Sequence, residues 1–107
     1  GSTGYSLSCG GPLVLPQSDS FIITPVSPHN LNVRPMIVSG SSQISFEVQG
    51  KGRQFLTSLD SRSYTLNGPA TLSMRKESFS VKLIKIKGYN FFDTLRSKLN
   101  WGQDVRN

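Results

Sequence analysis

The residues best suited to chemistry stand at the start of the sequence. The stretch GSTGYSLSCGGP, Gly1 to Pro12, sets the hydroxyls of Ser2, Thr3, Ser6 and Ser8 and the ring of Tyr5 among Gly1, Gly4, Gly10 and Gly11. Hydroxyls can bind sugar or phosphate oxygens. A phenol ring offers a flat face to a base. Glycines let the backbone approach a ligand closely or turn through positive φ. On composition alone the same stretch is equally an ordinary Gly/Ser loop. Ser6, Leu7 and Ser8 are expected to start a short helix, with Ser2 or Thr3 as its N-cap. Such an N-terminus would suit a pyrophosphate.

Other candidates are more scattered. His29 is the one histidine and invites a general-base role. No second ligand stands at metal spacing, which argues against a metal role. Arg34 could grip a phosphate in two-pronged fashion; clamping a backbone carbonyl or carboxylate within the fold is favoured. Asp60-Ser61-Arg62 breaks a β-run with charge. That is either a nucleotide contact or an edge turn with a surface ion pair. Lys82, Lys85 and Lys87 read as a solvated strand face. Nucleic-acid binding would want aromatics interleaved with them, and only Phe79 and Tyr89 flank the group. Cys9 is the sole cysteine, which excludes an internal disulfide and a cysteine-based metal cluster. Among glycines it reads as a small filler rather than a nucleophile.

The elements that must position these groups are mostly strands. A chain of 107 residues makes one domain with a modest core. Strands are predicted over 21–26, 35–39, 43–49, 54–59, 63–66, 70–74 and 79–86. In 43–49, Ile44, Phe46 and Val48 share one face while Ser45 and Glu47 take the other. The Gly50-Lys51-Gly52 turn predicts that 43–49 and 54–59 form a hairpin. Asn67-Gly68-Pro69 is a second strong turn signal. Helical spacing puts Phe92, Leu95 and Leu99 on one face of a helix, with Asp93 in its first turn and Lys98 in its last, matching the dipole. The tail from Asn100 to Asn107 is polar around Trp101. Strands at spacings of about ten residues, without helical crossovers, predict an all-β, antiparallel two-sheet β-sandwich with a short C-terminal helix.

Twelve Lys and Arg against six Asp and Glu give a net charge of +6, which suits a polyanionic ligand: nucleic acid, a membrane surface or nucleotide phosphates. The apolar runs are only a few residues long, too short to span a membrane. Residue 1 is not Met and no signal-peptide core follows, so the sequence reads as starting inside a longer chain. The single cysteine fits a reducing, cytoplasmic setting.

The opening motif is more specific than its composition. GSTGYSLSCGGPLVLP resembles the Gly-Ser-Thr-Ala-Tyr-Ser-Leu-Ser-Ala-Gly-Gly-Pro motif of bacterial NAD kinases. ITPVSPHNLNVRPMIV is similar to that family's Thr-Pro-x-x-Pro-His-x-Leu-x-x-Arg-Pro segment. LTSLDSRS resembles its strand with a central Asp, and NFFDTLRSKLNWGQDVRN its closing helix and following Trp. The likeness covers essentially all 107 residues in the family's order. It implies that residues 1–107 are the C-terminal, NAD-binding and oligomerisation domain of a two-domain kinase. The family's Gly-Gly-Asp-Gly and Asn-Glu/Asp motifs are absent from this sequence, so the catalytic Asp and the phosphate and metal contacts are expected in an N-terminal α/β domain.

The resemblance also implies roles for particular residues. Tyr5 would pack on the adenine side of NAD. Thr3, Gly4 and Ser8 would line the nicotinamide and ribose side, with Ser6 and Leu7 completing the segment. Gly4 departs from the family's usual Ala, which loosens the loop. Ser27 would approach the nicotinamide of a neighbouring subunit, and Arg62 would contact nucleotide. No catalytic residue and no metal ligand is expected within these 107 residues. The intact enzyme would phosphorylate the adenosine ribose 2′-hydroxyl of NAD with ATP, or polyphosphate, to give NADP. It would use a divalent metal such as Mg and assemble as a homodimer or homotetramer, without nucleic acid or membrane partners. The alternatives are a lipid-kinase-related C-terminal domain and a non-enzymatic basic β-sandwich binding module.

Overall fold

Alternating side chains govern the best-ordered part of the fold. A computed structural model describes residues 1–104; the end of the polar tail, 105–107, lies outside the described residues. The chain divides into two units, residues 39–77 and residues 1–38 with the stretch from 78 onward.

The 39–77 unit is a bent two-stranded ribbon. Strand β3 (Ile44–Val48) runs antiparallel to β6 (Ala70–Met74), and β4 (Gln54–Leu59) to β5 (Arg62–Asn67). Ile44, Phe46 and Val48 stand opposite Met74, Leu72 and Ala70, so the predicted apolar face is matched residue by residue. On the other face the hydroxyls of Ser45 and Ser73 bond at 2.8 Å. The second ladder repeats the plan, with Phe55 opposite Leu66 and a hydroxyl pair between Ser58 and Ser63 at 3.0 Å.

The expected hairpin between 43–49 and 54–59 is corrected by this pairing. The chain reverses instead at Asp60-Ser61, a two-residue loop between the paired Leu59 and Arg62. Asp60 takes φ 54, which a short polar side chain tolerates. Residues 50–53 form an offset within the ribbon: Val48 faces Ala70, while Gln54, six residues on, faces Asn67, only three back. Gly68 N–H donates to the Arg53 carbonyl at 2.8 Å there. A Cβ on Gly68 would collide with the Gly50 carbonyl and the Phe55 ring, so this crossing requires glycine.

The other unit has less regular structure. It holds the short helix α1 (Tyr5–Ser8), the paired strands β1 (Ser20–Ile23) and β2 (Met36–Ser39), and helix α2 (Phe91–Leu99). Between β1 and β2, the Arg34 guanidinium donates to the carbonyls of Leu31, at 2.7 Å, and Val33, at 3.1 Å. It therefore clamps its own loop, as the structural reading predicts. Helix α2 is capped as its sequence dictates: the Asn90 side chain accepts from Asp93 N–H at 2.9 Å, Asp93 pairs with Arg96 at 2.6 Å, and Asn100 closes the helix in the left-handed region. Of its apolar residues, Leu95 is buried and Phe91 half-buried, while Phe92 and Leu99 stay exposed.

The mostly β, antiparallel class with one helix near the C-terminus is thus realised, its strands pairing as three two-stranded sheets among the described residues. The strand predicted over 79–86 is not formed: 75–86 carry no regular structure. Strand character needs a backbone partner, and no neighbouring segment supplies one.

Candidate functional site

The opening motif folds into a tight, locally closed loop. Gly4 N–H bonds to the Gly1 carbonyl at 3.0 Å, and the chain enters the four-residue α1 at once. The helix is where the sequence predicts it, but its cap is not. Gly4, rather than Ser2 or Thr3, holds the N-cap position, and no side chain caps it. Helix α1 begins two residues past Thr3, and neither of the two predicted hydroxyls caps it.

The exit from the loop fixes its shape. Gly11 N–H donates to the Ser6 carbonyl at 2.8 Å, and a Cβ on Gly11 would run into Ser6 Oγ and the Ser6 backbone. Ser6 Oγ also bonds Thr24 Oγ1 at 2.7 Å, tying the loop to the residue after β1. Thr24 was not singled out from the sequence. Its signal is the hydroxyl standing directly before Pro25 in ITPVSPH.

These bonds sort the hydroxyls by what remains to them. Ser8 Oγ donates to the Tyr5 carbonyl at 2.7 Å, so toward any ligand it has only lone pairs to offer. Ser6 is half-buried and already bonded to Thr24. Thr3 is exposed within the turn and Leu7 is half-buried. Tyr5 is 70% exposed and its ring is open to be covered. The arrangement therefore presents one aromatic face beside an acceptor hydroxyl on a rigid turn. That combination suits a planar heterocycle carrying a hydroxyl-rich sugar.

The remaining predicted site residues lie elsewhere. Ser27 belongs to the same unit as the opening loop, exposed and at φ 47, three residues past Thr24. His29 is exposed beside it. Arg62 is exposed at the start of β5, in the other unit. Lys82 and Lys85 are exposed on the irregular 75–86 stretch, and Lys87 is exposed in the turn that follows it. Among the described residues no three His, Cys, Asp or Glu side chains come together in a way that could hold a metal ion. Nor is any helix long and apolar enough to cross a membrane, among the described residues.

Comparison with known proteins places this geometry. Residues 1–86 match the model of the ATP-NAD kinase C-terminal domain. The chain is 62% identical over 107 residues to the NAD kinase of Cytophaga hutchinsonii, covering 100% of this chain and 37% of the relative. It is 46% identical over 107 residues to the NAD kinase of Christiangramia forsetii, covering 100% of this chain and 36% of the relative. To that of Bacteroides fragilis it is 43% identical over 106 residues, covering 99% and 37%. The chain therefore spans little more than a third of the length of these curated relatives.

Proposed function

The chain belongs to the NAD kinase family, matching its C-terminal domain, and from that membership we propose that the polypeptide carrying it phosphorylates NAD. The γ-phosphoryl group of ATP, or a phosphoryl group of polyphosphate, passes to the adenosine ribose 2′-hydroxyl, and NADP is formed. Membership selects this reading over the lipid-kinase and nucleic-acid alternatives. The observation that carries it is the match across residues 1–86, with the exposed Tyr5 at its head.

Phosphoryl transfer depends chiefly on positioning and on neutralising charge. This chain's share is positioning. The Tyr5 ring stacks on the adenine face, and Ser8, with its proton spent on the Tyr5 carbonyl, accepts from a ribose hydroxyl. Thr3 and Gly4 line the turn beneath the sugar, with Ser6 and Leu7 holding its shape through the Thr24 bond and half-buried packing. Ser27 approaches the nicotinamide held by a neighbouring subunit, and Arg62 is a separate nucleotide contact. The general base, the donor phosphates and any divalent cation are assigned to the rest of the polypeptide. The enzyme works in the cytoplasm as a homodimer or homotetramer.

Two measurements test this reading. The 107-residue chain alone should form no NADP from NAD and ATP; clear turnover refutes the division of labour. In the full-length polypeptide, Tyr5→Ala should raise KM for NAD about tenfold through lost stacking, of order 1–3 kcal/mol per base, while Tyr5→Phe keeps most of the affinity. Equal losses in both variants would sink the stacking role.

A further inference from the structure

Thr24 stands eighteen residues from Ser6 in sequence, and their hydroxyls bond at 2.7 Å. The opening loop is otherwise bonded within itself. Gly4 N–H reaches the Gly1 carbonyl at 3.0 Å, Cys9 N–H the Tyr5 carbonyl at 3.1 Å, Gly10 N–H the Leu7 carbonyl at 3.0 Å and Gly11 N–H the Ser6 carbonyl at 2.8 Å. These bonds draw residues 1–11 together. They leave open the direction in which the Tyr5 ring and the Ser8 lone pairs point.

Thr24 is suited to fix that direction. It follows directly on β1, which is paired with β2. A residue before proline is held to extended backbone, and Pro25 comes next. A β-branched side chain has few χ1 choices. The Thr24 hydroxyl is therefore aimed by its own backbone and its own branching before any ligand arrives. Its partner is confined as well. The backbone of Gly11 passes so close to Ser6 Oγ that a Cβ there would collide with it. Both Ser6 and Thr24 are half-buried, so neither hydroxyl is as freely solvated as one on the open surface. A loop that is already aimed loses less freedom when a ligand binds.

We propose that Thr24 is a positioning residue for dinucleotide binding. Its hydroxyl, acting through Ser6, aims the Tyr5 ring and the Ser8 acceptor, and so sets KM for NAD from outside the contact surface. This rests on the reading of the opening loop as an NAD cradle. The role is orientation rather than assembly of the loop, because the bonds within residues 1–11 do not depend on Thr24.

Steady-state kinetics of the full-length polypeptide, well below the thermal midpoint of every variant, test it. Thr24→Val keeps the branched shape and removes the hydroxyl. It should raise KM for NAD about two- to tenfold, the size of one net hydrogen bond. Turnover and KM for ATP should be unchanged, since the donor phosphates are held elsewhere in the polypeptide. Thr24→Ser keeps the hydroxyl and should keep most of the affinity. Ser6→Ala cuts the same bond from its other end and should raise KM for NAD to the same degree. Adding it to Thr24→Val should cost nothing more. If Thr24→Val does not fold, Ser6→Ala and Thr24→Ser decide. An unchanged KM for NAD in Thr24→Val or in Ser6→Ala overturns the inference. So do equal losses in Thr24→Val and Thr24→Ser, additive losses in the double variant, or a fall in kcat without a rise in KM. An unmodified polypeptide that forms no NADP sinks the functional reading and this inference with it. An active one that is indifferent to the loss of the bond sinks this inference alone.

Discussion

The 39–77 ribbon and the 78–89 stretch are adjacent in sequence and similar in composition, yet one is structured and the other is not. In the ribbon every strand finds its partner within about thirty residues, and each apolar residue of β3 meets another across the ladder. Five of the twelve residues of the 78–89 stretch are β-branched or aromatic, and all five are exposed. Strand propensity measures how well a side chain fits a pleated, half-buried surface. It cannot provide that surface. The ribbon carries its own partner strand, and the 78–89 stretch has none among the described residues.

Variants of the full-length protein can break or sharpen this contrast. The largest effect is expected at Leu95, the buried apolar residue of α2 beside the unpaired stretch. Leu95→Ala should cost about 2–4 kcal/mol, read as a lower urea midpoint at unchanged slope. Gly11→Ala comes next. Its methyl meets Ser6 Oγ and the Ser6 backbone, so a loss of about 1–3 kcal/mol is expected. A raised KM for NAD should accompany that loss, since the loop carrying Tyr5 must shift. A Gly11→Ala protein of normal stability and normal KM would show that the close approach does not hold the loop.

Smaller effects probe local bonds. Asn90→Ala removes the α2 cap and should cost about 1 kcal/mol, seen in thermal unfolding. Ser45→Ala deletes one hydroxyl of an exposed pair on the ribbon and should change stability by less than about 0.5 kcal/mol. A larger Ser45 effect would mean that the ribbon's outer face is covered in the assembled protein, and the contrast between the two regions would narrow.

Much of the fold was legible wherever the determinant is local. The period-two pattern of Ile44, Phe46 and Val48 located β3, and the limits of β4 and β6 agree with expectation. The spacing of Phe92, Leu95 and Leu99 located α2, with Asp93 in its first turn and Lys98 in its last as expected, whereas its caps Asn90 and Asn100 were not singled out. Arg34 was rightly given to its own loop, since the carbonyls it holds are one and three residues away. Of the candidate site, the short helix at Tyr5–Ser8 was legible and its glycine cap was not, because the Gly1–Gly4 turn competes for the same position. The Ser6–Thr24 bond spans eighteen residues and left no periodic trace.

The sequence by itself settled family, the type of every element but the strand expected over 79–86, and the presence of an aromatic ring in a hydroxyl-rich loop, because each is written in neighbouring residues. Only the tertiary structure decided that β3 answers β6 rather than β4, that Thr24 anchors the loop, and that 79–86 stands unpaired. Backbone donors and acceptors are alike in every strand, so which one is joined depends on what the rest of the chain brings within reach.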